Sequence, residues 1–113
     1  MSQSPVDEEV LDELKDMLED EFIDLLQTYL KDTASKLELL KQSLSSGTLE
    51  EVRKLAHSVK GSSVNLGIAP LSALCGELEV VAQEGDISRC QSLLMSILNE
   101  AETVFGLLKA KLD

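Results

Sequence analysis

The chemistry open to this chain centres on its single histidine. His57 is the only histidine among 113 residues, so the chain cannot build a metal site from several imidazoles. One neutral ring nitrogen is nevertheless enough for nucleophilic attack and could accept a phosphoryl group. Three cationic side chains, Arg53, Lys54 and Lys60, lie within four residues of His57, although the net charge of the chain is −11. The sequence therefore places a nucleophile in a basic segment of an acidic protein.

The helix predicted around His57 directs its side chain toward solvent. At about 100° per residue, the residues that project within roughly 60° of His57 are Arg53, Lys54, Lys60, Gly61 and Val64. The apolar positions of the same helix, such as Ala56 and Val59, point roughly 100–160° away by the same arithmetic. We therefore expect His57 to face outward, with cations on its face that favour a dianionic phosphoryl group.

Gly61 calls for an explanation because it lies inside the predicted helix. A glycine in a helix interior costs about 1 kcal/mol relative to alanine. One explanation is clearance, since a missing side chain one turn after His57 would let another protein approach the ring closely. The alternative is that Gly61 is a tolerated weak position without a role, and this residue alone favours neither.

Hydrophobic periodicity and turn signals predict an all-α chain. A short N-terminal helix over about residues 5–18 is expected to start at Ser4-Pro5, because serine can cap a helix and proline suits its first position. A long second helix is expected over about residues 20–45, with apolar side chains spaced by three and four, before Gly47 ends it.

Three further helices are predicted in the second half of the chain. Thr48 and Glu51 form a capping-box pattern that opens the third helix, which Gly67 ends. Pro70 begins the fourth, and Gly85-Asp86 separates it from the fifth. Amphipathic helices with short turns form bundles, so we expect an up-and-down antiparallel four-helix bundle over about residues 20–112, with the short N-terminal helix added, in one domain.

Composition excludes several classes of function. A pI near 4.4 argues against nucleic acid and against an anionic membrane surface. The chain has no apolar run of roughly 18 residues, and its polar start lacks the features of a signal peptide. Cys75 and Cys90 fall on apolar stripes, so reduced core thiols of a cytoplasmic protein are expected in preference to a disulfide.

The segment around His57 also resembles a known family. The resemblance is carried by Leu55-Ala56-His57-Ser58-Val59-Lys60-Gly61-Ser62-Ser63, then Leu66-Gly67, then Leu71, Cys75, Leu78 and Glu79. This pattern is similar to that of histidine-containing phosphotransfer (HPt) domains, and the predicted helices agree with that family along the whole chain. The one departure is Val59, where the family often has leucine.

The resemblance implies roles for individual residues. His57 would be phosphorylated on Nε2, and Lys60 would neutralise charge on the phosphoryl group. Gly61 would leave room for the incoming partner. Glu79 stands where the family has a glutamine or glutamate that hydrogen-bonds Nδ1 of the histidine, which would fix the tautomer. The alternative is that Glu79 is a solvated carboxylate without a role.

The resemblance also implies the partners. The phosphoryl donor would be a phospho-aspartate on a receiver domain of a response regulator or hybrid sensor kinase, which also brings the Mg²⁺. The chain itself has no GxxxxGK[ST] segment, so it would be a phosphoryl carrier and not an enzyme with its own ATP site. Arg53, Lys54, Gly61 and Val64 would contact the receiver, and the carrier would be a cytoplasmic monomer without a cofactor of its own.

Three other interpretations remain open. A carboxylate-bridged metal bundle would use Glu-x-x-His pairs, but Lys54 stands three residues before His57 and no second histidine exists. A phosphorylation-silent bundle that serves only as an interaction adaptor explains the fold but not the cations, Gly61 and Glu79 together. The chain could also be the phosphoacceptor module of a larger histidine kinase, although a start at Met1 favours a free-standing protein.

Overall fold

A computed structural model describes residues 4–112, and within them all regular structure is helical. The five helices are α1 (Glu8–Leu18), α2 (Glu21–Ser45), α3 (Leu49–Asn65), α4 (Ala69–Glu84) and α5 (Ile87–Ala110). The predicted all-α class is confirmed. None of these helices combines the length and the apolar content needed to cross a membrane.

The start of α1 differs from the prediction. The helix begins at Glu8 and not at Ser4-Pro5, and Asp7 is its N-cap, with a carboxylate that accepts from the backbone N–H groups of Glu9 and Val10. Val6 is buried, and the Asp7 N–H donates to the carbonyl of Gly67. These contacts hold the chain before Glu8 against the rest of the molecule, so the local signal at Ser4-Pro5 is overridden.

The capping box predicted at the start of α3 does not form. Thr48 is the N-cap residue, as expected, but its side chain makes no capping hydrogen bond. Its Oγ1 instead lies 3.1 Å from Oγ of Ser46. The predicted reciprocal bond with Glu51 was therefore wrong, although the position of the helix start was right.

The apolar stripes read from the sequence are the buried faces of the helices. α2 buries Phe22, Leu26, Tyr29, Thr33, Leu37, Leu40 and Leu44. α5 buries Cys90, Leu94, Ile97, Ala101, Val104 and Leu108. α3 contacts α2 and α4, α5 contacts α4 and α2, and α1 lies against α2. The core is thus shared by helices whose opposite faces remain in solvent.

Both cysteines are free thiols inside this core, as predicted. Burial raises the pKa of the Cys75 thiol to about 12, so the reactive thiolate is negligible at neutral pH. Burial also raises the pKa of Cys90. These thiols therefore serve as small apolar side chains.

Gly67, in the turn between α3 and α4, meets two structural requirements. Its φ is +73°, in the left-handed region, and an added Cβ would lie 2.9 Å from Cβ of Asp7 and 3.0 Å from Cβ of Val10. The glycine thus allows both the turn and the close approach of the N-terminal segment.

Replacing Gly67 with alanine is expected to lower the free energy of unfolding by about 2–4 kcal/mol, from left-handed strain together with overpacking. Gly47→Ala is the matched control, because Gly47 has φ +75° but nothing within 4 Å of an added Cβ. Only the strain of about 1–2 kcal/mol applies there. Urea unfolding measures both, and equal losses would show that the contact with the N-terminal segment carries no energy.

Candidate functional site

α3 presents His57 to solvent. The neighbouring Ala56 and Val59 are fully buried in the core, whereas 65% of the His57 side chain is exposed. Since α3 is continuous from Leu49 to Asn65, its regular rotation places the ring on the face away from the core. The imidazole is therefore accessible to another protein.

Glu79, on α4, fixes the orientation and the tautomer of this ring. Its Oε2 lies 2.9 Å from Nδ1 of His57, and only 17% of its side chain is exposed. An ionised carboxylate can only accept, so Nδ1–H is the donor and carries the ring proton. In the neutral ring Nε2 then has a free lone pair, on the atom farther from Glu79.

Lys60 shares the same carboxylate. Its Nζ donates to Oε1 of Glu79 at 2.8 Å. Each carboxylate oxygen of Glu79 therefore bonds a different residue of α3, Oε1 to Lys60 and Oε2 to His57. Hydrogen bonding to Lys60, foremost, and to His57 lowers the pKa of Glu79 despite partial desolvation. The carboxylate is therefore ionised at neutral pH and remains a pure acceptor.

Two small residues of α4 allow this close contact with α3. Ser72 donates its hydroxyl to the backbone carbonyl of Lys60 at 3.0 Å. A Cβ added to Gly76 would lie 3.4 Å from Cδ of Lys60, so the lysine stem passes directly over this glycine on its way to Glu79. Neither residue was predicted to take part, and their role depends on helix packing that the sequence does not show.

The other two predicted cations differ in their surroundings. Arg53 forms an ion pair with Glu50 at 2.6 Å, and its hydrogen bond is the main cause that lowers the pKa of Glu50. Lys54 is exposed and has no ion-pair partner in the part of the chain that the structure describes. The charge of Arg53 is thus partly compensated, while that of Lys54 remains available to a partner.

Gly61 and Val64 lie on the exposed side of α3. An added Cβ at Gly61 would have nothing within 4 Å, so packing within this chain does not require a glycine there. The side chain of Val64 is also strongly exposed, at 58%. Together with His57 they form an exposed surface that a partner can approach directly.

Glu79→Gln is expected to reduce stability by about 1 kcal/mol at neutral pH, because the charged bond to Lys60 is lost. A carboxylate with a lowered folded-state pKa stabilises above its ordinary value of 4.5, and that contribution disappears as the pH falls through the lowered pKa. The stability of the variant should therefore decline less than that of the wild type between about pH 6 and about pH 3.

Unfolding free energies measured across that range check this expectation, with Glu77→Gln as the control for loss of one exposed carboxylate on the same helix. Identical pH profiles for Glu79→Gln and the wild type would contradict the assigned contact.

Comparisons with known proteins agree with this geometry. The family model of the Hpt domain matches residues 24–110. The crystal structure of histidine-containing phosphotransfer protein B (HptB) from Pseudomonas aeruginosa PAO1 superposes with a TM-score of 0.92 at 34% identity, covering 97% of this chain and 96% of that chain. Among curated proteins none matches. The matched segment includes α3, α4, α5 and nearly all of α2, and this chain therefore belongs to the Hpt-domain family of histidine-containing phosphotransfer proteins.

Proposed function

We propose that this chain is a phosphoryl carrier in a His–Asp phosphorelay. His57 would accept a phosphoryl group from the phospho-aspartate of a receiver domain and pass it to another receiver aspartate, or back to the first. The observation that carries this proposal is the Glu79 bond to Nδ1 of a ring that is 65% exposed. It leaves Nε2 as an oriented and accessible nucleophile.

The transfer needs no base on this chain. Nε2 attacks phosphorus in line, the Nε2–P bond forms as the aspartyl O–P bond breaks, and the aspartate leaves as a carboxylate. In the neutral ring with the proton on Nδ1, Nε2 carries no proton, so none has to be removed. The ring gains positive character as the bond forms, and the Glu79 carboxylate at Nδ1–H stabilises that charge.

Lys60 would balance the charge of the phosphoryl group. An ammonium has three N–H donors, and Glu79 uses one of them in this structure. The remaining donors can reach toward phosphoryl oxygens one turn from His57. Arg53, Lys54, Gly61 and Val64 would form the surrounding contact surface for the receiver.

The proposal includes the setting of this carrier. It would act as a cytoplasmic monomer without a cofactor of its own and without catalysing phosphorylation from ATP. The receiver would supply Mg²⁺ along with the phosphoryl group. The two free buried thiols support a reducing compartment.

The helix arrangement proposed is an up-and-down antiparallel bundle of α2–α5. The contacts of α2 with α3, α3 with α4, α4 with α5 and α5 with α2 form a closed ring. Only three residues separate α2 from α3 and α3 from α4, and two separate α4 from α5. Connections of this length favour antiparallel neighbours.

Mixing the protein with a phosphorylated receiver and Mg²⁺ tests the function. We expect the chain to acquire an acid-labile, base-stable label as the receiver loses its own. Several phosphorylated receivers are tested, each of which is known to label another HPt protein. If none of them labels this chain, the phosphorylation-silent adaptor is favoured. The adaptor function does not explain why an exposed His57 ring is hydrogen-bonded to Glu79.

A further inference from the structure

A fourth cation comes from α2 and is fixed at Ser58, the residue after His57. Nζ of Lys36 donates to Oγ of Ser58 at 2.7 Å and to Oδ2 of Asp32 at 2.8 Å. Ser58 directly follows His57 in the chain. Only 25% of the Lys36 side chain is exposed, so its stem lies against the protein while its ammonium is held at Ser58.

Charge is distributed unevenly on the two sides of His57. On the α4 side, Lys60 is compensated by Glu79, and α4 has no basic residue but also carries Glu77 and Glu84. On the α2 side, Lys36 is likewise paired with a carboxylate, Asp32. Lys54, however, projects on the same side of α3 as Ser58 and has no ion-pair partner within residues 4–112, so the uncompensated cation lies on the α2 side. An acidic partner is therefore attracted toward the α2 side.

Lys36 is also held in one conformation with a donor left free for a partner. Two of its three N–H donors are occupied by Asp32 and Ser58, which leaves one for a group outside the chain. Because these two bonds already restrict the long side chain, little further conformational entropy is lost when it contacts a partner. An exposed lysine without such bonds would bind at a greater entropic cost.

We propose that Lys36 is a docking residue for the receiver domain, pairing with an acidic side chain beside the receiver's phospho-aspartate. The receiver would then contact α2 as well as α3. This inference rests on the proposed phosphocarrier function and names a contact that orients its partner. Lys36 is a positioning residue, since its ammonium is bonded to Ser58 and Asp32 and not to His57.

The test compares Lys36→Gln with Lys41→Gln. Lys41 lies on the same helix and has a comparable carboxylate partner, Glu38 at 3.4 Å, but it lines a groove with Leu98 and Phe105 between α2 and α5. Transfer from a phosphorylated receiver is measured at increasing concentrations of each variant. Labelling by phosphoramidate, a small donor that needs no docking, is measured in parallel.

In transfer from the receiver, we expect Lys36→Gln to raise the half-saturating concentration roughly three- to tenfold and to leave the maximal rate unchanged. The half-saturating concentration of the variant should also depend less on salt than that of the wild type. Phosphoramidate labelling should equal that of the wild type, and Lys41→Gln should change neither reaction.

Equal behaviour of the two variants with the receiver would overturn the docking role, as would a loss of phosphoramidate labelling in Lys36→Gln. A wild-type chain that neither donor labels would instead overturn the phosphocarrier function itself.

Discussion

Replacing His57 with glutamine is expected to abolish phosphoryl transfer from a receiver, by roughly a thousandfold or more, while the fold persists. Glutamine retains a polar side chain of similar reach but offers no nucleophilic lone pair. Since 65% of the His57 side chain is exposed and Glu79 keeps its bond to Lys60, the free energy of unfolding should change by less than about 1 kcal/mol.

Asn65→Gln is the control for this experiment, because Asn65 is an exposed residue at the end of the same helix. It should take up label at the wild-type rate. Circular dichroism and urea unfolding verify that both variants are folded. If His57→Gln still acquired label at a comparable rate, another side chain would be the acceptor and the proposed site would be wrong.

Replacing Gly61 with glutamine is expected to stabilise the protein and yet slow transfer from the receiver. Glutamine favours the helix by about 0.5 kcal/mol relative to glycine, and a Cβ at Gly61 meets no atom within 4 Å. The same side chain would stand one turn from His57, where the receiver has to approach. Displacement of the reacting atoms by a fraction of an ångström should reduce transfer roughly ten- to a hundredfold.

Gly106→Gln provides the matched control for Gly61→Gln. Gly106 lies inside α5, is exposed, and also has nothing within 4 Å of an added Cβ. It should gain similar stability without any effect on transfer, and phosphoramidate should label both variants normally. Equal transfer rates for the two variants would leave Gly61 as a tolerated weak position without a role in docking.

Much of the fold could be predicted because each helix buries a regular stripe. The spacing from Phe22 to Leu44 identified the buried face of α2, and rotation from Val59 predicted that His57 faces outward. The start of α1 could not be predicted, since burial of Val6 and the Asp7 bond to Gly67 depend on a distant turn.

The detailed electrostatics of the site were less predictable than its location. Rotation along α3 places its cations near His57, but it does not show that Arg53 pairs with Glu50. Nor does it show that Lys36 reaches Ser58, which lies 22 residues away on the next helix. Such contacts depend on the separation and rotation of packed helices, which a periodic pattern does not determine.

The position of the phosphoryl group on the ring tests the central claim most directly. The protein is labelled with nitrogen-15 in the histidine ring, phosphorylated by a receiver, and studied by NMR through the coupling between nitrogen and phosphorus. Because Glu79 occupies the Nδ1 side, we predict that phosphorus is bonded to Nε2 of His57. Phosphorus on Nδ1, or on an oxygen such as that of Ser58, would contradict the proposed role of Glu79 and of the exposed ring.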